Sequence, residues 1–245
     1  MSKFIFEGAR VALIKFSEAL STVQKWYERN SENIAKYLLA FADLGVWYSA
    51  IDKLAENQII FTDDLGLDFA KEICDSTNID KVVQRYYFDN NQQNMNLLIS
   101  RCNSAREIFE YKELYVQTLD AYNRGHYHLA CIGMFSLIDG VLADVSEMAT
   151  VTSFKKRIQA IENKIGDQVA LNEIDRKTLC IYTAMEHIKD SIFGNSSFSE
   201  AEPEGINRHW VMHGRTRKKY SKYDFLKLLL WLDAISYMSQ LTEQI

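Results

Sequence analysis

Two of the chain's five histidines fall within one short stretch, Asn207-Arg208-His209-Trp210-Val211-Met212-His213-Gly214. Histidine accepts and returns a proton near neutral pH. Arginine grips a phosphate through two parallel hydrogen bonds and keeps its charge at any ordinary pH. An Arg and a His within reach of one phosphodiester can cleave RNA without a metal. A base takes the 2′-OH proton, an acid protonates the leaving 5′ oxygen, and the guanidinium stabilises the charge that builds up between them. His209 and His213 are four apart and share a helix face. Arg208 and His213 are five apart, roughly 140° around an ideal helix. Bringing them to one site requires the long Arg side chain, a helix that ends before His213, or residues of a second subunit.

The charge around this stretch is unusual. Between Gly205 and Lys227 stand seven of the 28 basic residues and one of the 33 acidic residues, Asp224. That stretch is therefore near +6 and the rest of the chain near −11, although the whole sums to −5. Arg215, Arg217, Lys218, Lys219 and Lys222 are the residues expected to meet a polyanion. The plain alternative is a solubilising basic turn before the last helix.

Other sites are thinner. His209 and His213 have the spacing of a metal pair, but no Glu follows His209 as in a zinc-protease helix. Asp139 and His187 are the only third ligands to suggest, and no resident metal or cofactor is expected. His126 and His128 flank a helix start and read as surface or capping groups. His187 reads as a helix-edge residue. Asp139 lies in an apolar helix, where a buried carboxylate needs a partner such as Arg208 or a histidine; a capped or partly exposed Asp is the equal alternative. Asn207 and Asp139 are thus the supporting candidates. Trp210, Trp231, Tyr220, Tyr223 and Tyr237 fit base stacking, but at helical spacing core packing is the role expected of both tryptophans.

The elements that must position these groups are helical. There is one proline, Pro203, and there are ten glycines, where average usage gives about 12 and 17. Scarcity of both favours helices and argues against a turn-rich β-sandwich. Apolar residues recur at spacings of three and four nearly throughout. Helices are predicted over 4–26, 33–54 (with Gly45 as a break), 68–75, 80–88, 105–124, 126–148, 154–165, 173–192, 206–212 and 223–241. Residues 58–66 read as a loop or very short strand. The asparagine-rich 89–96 reads as a turn or helix start. The segment 194–205 is a surface loop. The fold class is all-α, a helical bundle. A division near residue 100 separates an N-terminal helical region, 1–100, from a helical domain, 101–245.

Four dispersed cysteines, Cys74, Cys102, Cys131 and Cys180, suggest small core residues in a reducing cytoplasm rather than a disulfide or zinc scaffold. The first twenty residues lack the continuous apolar run of a signal peptide. The apolar stretch 225–235 is interrupted by Lys227 and Asp233 and is too short for a bilayer. No membrane partner is expected.

Arg208, a polar residue directly after it, His213 five places on and Gly214 resemble the Arg-x4–6-His motif of the HEPN superfamily (higher eukaryotes and prokaryotes nucleotide-binding). The helical setting agrees over about 105–245. The long helix with Gly133, Asp139, Gly140 and Asp144 resembles an earlier core helix of such domains. The first hundred residues lie outside the resemblance. It implies a metal-independent endoribonuclease of a toxin–antitoxin, antiviral-defence or stress system, acting as a homodimer with the site at the interface. It also implies that Arg208 contacts the scissile phosphate, that His213 is the general acid/base and that His209 assists. An antitoxin or regulatory protein is an implied partner. The rival class is a non-catalytic helical interaction or regulatory protein.

Overall fold

A computed structural model describes residues 31–63, 65–150, 153–168, 176–194 and 196–243. The chain is an all-α bundle, and no strand occurs among the described residues. The helices are α1 (Ser31–Glu56), α2 (Leu67–Asp75), α3 (Ile79–Phe88), α4 (Gln93–Ser104), α5 (Lys112–Asn123), α6 (Tyr127–Val145), α7 (Phe154–Gln168), α8 (Arg176–Phe193), α9 (Arg208–Met212) and α10 (Lys222–Glu243). The helix predicted over 4–26 lies outside the described residues.

Local chemistry sets the boundaries. Asn78 caps α3 by accepting from Lys81 N at 2.9 Å. Ser221 and Asp224 cap α10 reciprocally, with Ser221 N donating to Asp224 Oδ2 at 2.8 Å and Asp224 N donating to Ser221 Oγ at 3.3 Å, satisfying donors that a helix start leaves open. The asparagine-rich turn holds Asn90, Asn91 and Gln92 at φ of 49°, 54° and 59°, and α4 begins directly after it. Three expectations are corrected. Gly45 does not break α1, and Gly166 does not end α7. The helix predicted over 105–124 is instead a 3-10 segment, Arg106–Tyr111, followed by α5. A lone glycine weakens a helix by only about 1 kcal/mol, which tertiary packing overrides.

The core centres on α6 and α10, with α5 against α6, α4 against α10, and α1 against both α2 and α8. Leu228, Leu229, Leu230, Trp231 and Leu232 are consecutive and all fully buried. So α10 is enclosed on every side, and its pattern is not amphipathic. Helix α6 has the length and composition to cross a bilayer, but its apolar side chains, Met134, Phe135, Leu137 and Ile138 among them, are buried in this core.

The junction drawn at residue 100 falls inside α4, and one apolar cluster runs from Ala50 to Met238 across it. Polar ties cross it too. Arg101 of α4 donates to Asp233 of α10 at 2.8–3.0 Å, to Asp63 at 2.6 Å and to Thr62 at 3.2 Å. Asp63 also accepts from the Tyr87 hydroxyl at 2.7 Å. All three guanidinium nitrogens donate, and although burial opposes the charge, the two carboxylates raise its pKa above even the usual arginine value.

Candidate functional site

Helix α9 is a single short turn held at both ends. At its start the Asn207 side chain accepts from Trp210 N at 3.3 Å. The same side chain donates to Ser191 O at 3.1 Å and Gly194 O at 3.2 Å. Asn207 is 4% exposed, so it is a buried cap that fastens α9 to the end of α8. Gln58, after α1, reinforces this mount. Its Oε1 accepts from Ile206 N at 2.7 Å, and its Nε2 donates to Ile206 O and Ser191 Oγ, each at 3.2 Å. The helix stops because Gly214 takes φ of 63°. Gly214 N then donates to Val211 O at 3.0 Å and Arg215 N to Trp210 O at 2.9 Å, the paired closure that a left-handed residue permits. His213 is consequently the last residue of the turn, outside the helix proper, at φ −91° and ψ 4°.

Arg208 points back to α6. Its Nη2 lies 3.4 Å from Asp139 Oδ1. Asp139 Oδ1 also receives Nη1 of Arg157 from α7 at 3.1 Å. Arg157 is 4% exposed, and it further donates to Asp139 O at 3.1 Å and Met148 O at 3.3 Å. One carboxylate therefore serves two guanidiniums, one buried and one partly open. The Nε of Arg208 is buried without a hydrogen-bond partner, while its side chain is 32% exposed.

His209 and His213 face each other with ring centroids 4.7 Å apart. Phe198, from the 194–205 loop, lies 4.4 Å from His209 and 5.6 Å from His213. Burial, then His213, then Arg208 lower the pKa of His209. These effects favour the neutral, proton-accepting form of the ring. The spacing thus brings together His209 and His213, and Asp139 with Arg208. Arg208 turns toward Asp139 of α6, whereas His213 turns toward Phe198.

The basic run is dispersed by its own contacts. Arg215 lies over Phe198, its guanidinium carbon 5.2 Å from the ring centre. Arg217 N donates to Glu202 Oε2 at 3.1 Å, and Lys219 is exposed. Lys218 Nζ donates to Gly205 O at 2.9 Å and also to Pro203 O. Lys222 sits 4.1 Å over the Phe88 ring. Lys227 is 7% exposed, 4.0 Å from Asp80, and burial lowers its pKa. The +6 stretch therefore exposes less charge than its count suggests. Lys222 belongs to a different groove of about 930 Å³, which Lys81 and Arg85 also line.

The remaining candidates scatter. His187 faces Asp52 at 3.5 Å, and His128 faces Tyr220 at 5.2 Å. Among the described residues no group of three His, Cys, Asp or Glu side chains is arranged to hold a metal. Trp231 is fully buried. Trp210 donates through Nε1 to Ser196 Oγ at 2.6 Å, pinning the loop to α9. Both tryptophans are structural. Gln58, Arg157 and Phe198 were not visible as site residues. Each sits far from the motif in sequence or in a segment without periodicity. No family model, curated protein or solved structure matches the chain.

Proposed function

We propose that the protein is a metal-independent endoribonuclease of HEPN type, acting in antiviral defence, a toxin–antitoxin pair or a stress response. The observation that supports this most is the placement of Arg208 on α9, anchored 3.4 Å from Asp139 yet partly open, one turn from a surface pair of histidines 4.7 Å apart. Arg208 holds the scissile phosphate. One imidazole takes the 2′-OH proton, the 2′ oxygen attacks phosphorus, and the bond to the 5′ oxygen breaks. His213, as general acid, returns a proton to that oxygen. The products are a 2′,3′-cyclic phosphate and a 5′-hydroxyl, and the proton count closes. His209 is suited to the accepting role because burial and the neighbouring His213 and Arg208 favour its neutral form. Arg208 and His213 diverge within one chain, so a homodimer pairing the Arg208 of one copy with the His213 of another completes the site.

Incubation with RNA in EDTA, beside Arg208→Ala and His213→Ala, tests the reading. Cleavage by the parent alone supports it. No cleavage, or equal cleavage by all three, sinks it. A second reading, a non-catalytic interaction protein, draws on the exposed apolar side chains Leu97, Phe109, Val116 and Leu129. It predicts that Phe109→Ser abolishes partner capture while no RNA is cut.

A further inference from the structure

Phe198 is 37% exposed in the loop before α9, yet it is firmly placed. Trp210 meets its ring edge-on at 5.3 Å and 79°, and the Trp210–Ser196 hydrogen bond ties the loop to the same helix. His209 lies against the ring at 4.4 Å, tilted by 36°, and Arg215 lies over it. Among the described residues no carboxylate pairs with the Arg215 guanidinium. A guanidinium that lies over an aromatic ring at a surface without a carboxylate is ready for a ligand that offers both a flat π-face and a negative charge. An unpaired nucleotide offers both.

We propose that Phe198, His209 and Arg215 form a stacking subsite for one unpaired nucleobase beside Arg208 and His213. Single-stranded RNA is then the substrate class. The inference rests on the ribonuclease reading for the polymer's identity. The base stacks on Phe198 where the Arg215 guanidinium now lies, and Arg215 turns to the adjoining phosphate. A duplex keeps its base faces covered by their neighbours, so it cannot use the ring. A purely electrostatic surface would not need Phe198 at all.

The test is fluorescence anisotropy with a labelled unpaired oligoribonucleotide, its duplex form, and inorganic polyphosphate as a competitor without bases. The parent binds the unpaired strand more tightly than the duplex. Phe198→Ala weakens unpaired RNA by about tenfold, the effect of one lost base stack, and Phe198→Trp restores it. Polyphosphate competition is unchanged by Phe198→Ala but weakened by Arg215→Ala. Phe198→Ala binding within about twofold of the parent overturns the subsite. So does equal loss of RNA and polyphosphate, or a parent that prefers the duplex or binds no RNA. If the parent binds unpaired RNA through Phe198 but never cuts it, the subsite stands and the ribonuclease reading falls. If it cuts RNA and Phe198→Ala binds and cuts as well, the subsite falls and the ribonuclease reading stands.

Discussion

Asp139→Asn separates what holds the bundle together from what is held for the proposed chemistry. The substitution keeps the shape and one oxygen acceptor but removes the charge. Arg157, with a side chain 5% exposed, then keeps only the carbonyls of Asp139 at 3.1 Å and Met148 at 3.3 Å as full partners. Removing one member of a buried ion pair costs roughly 3–5 kcal/mol. Asp139 is 36% exposed, and the amide oxygen still accepts, so about half of that, ~2 kcal/mol, is expected. A domain of this size loses roughly 2–4 °C per kcal/mol, so the unfolding midpoint falls by about 4–8 °C. Arg208→Ala touches the other arm of the same carboxylate. That pair is longer, 3.4 Å, and partly exposed on both sides, which is worth ~0.5 kcal/mol. The substitution also removes a buried Nε that has no acceptor, which offsets part of the loss. Its midpoint should move by no more than about 2 °C. Scanning calorimetry measures both. Equal losses for the two variants, or an Asp139→Asn midpoint within about a degree of the parent, would refute the division of labour between Arg157 and Arg208.

Three further outcomes follow from the same geometry. His209 has a folded pKa below its unfolded value. The unfolded chain therefore binds its proton first, and the stability it contributes is present above the unfolded pKa of ~6.5 and lost as pH falls from there through the lower folded pKa. NMR titration of its ring should show a midpoint below 6.5 that rises in His213→Asn, and an unmoved midpoint contradicts the coupling. Gly133→Ala places a Cβ 2.3 Å from Thr118 Oγ1, so overpacking of about 1–3 kcal/mol is expected in denaturant unfolding. Adding Thr118→Ala should recover most of it, and no recovery means the clash is not the cause. Gln58→Ala leaves the buried Ile206 N–H, bonded at 2.7 Å in the parent, without an acceptor. A loss of about 1–3 kcal/mol should appear, together with faster amide exchange at Ile206 and Asn207. Unchanged exchange would show that Gln58 does not hold the mount of α9.

Helix class and most boundaries were readable because proline and glycine scarcity and apolar spacing are local signals. The glycine breaks failed at Gly45 and Gly166 for the opposite reason: whether a glycine ends a helix depends on what packs around it. At Gly214 it does, because a positive φ lets two carbonyls of α9 be closed. The division near residue 100 rested on a polar turn. That turn exists at Asn90–Gln92, but Arg101 and Gln58 tie the two sides together through side chains more than a hundred residues apart in sequence, and no local pattern encodes those. The pairing of Asp139 with Arg208 was legible because a carboxylate on an apolar helix requires a partner. Arg157 was not, since it looks like any charged residue of an amphipathic helix. The basic run misled in magnitude, because counting charges does not reveal that Lys227 is buried or that Lys218 is spent on loop carbonyls.

The central claim is that Arg208 and the histidines of α9 cut RNA by using its own 2′-OH. The most direct measurement is single-turnover cleavage of an end-labelled unpaired RNA in EDTA, with product ends identified, for the parent, Arg208→Ala and His213→Ala. The account predicts 2′,3′-cyclic phosphate and 5′-hydroxyl ends from the parent, and a rate lower by about 100-fold or more in each variant. Intact RNA with the parent, products bearing a 5′-phosphate, or equal rates for all three proteins would contradict it.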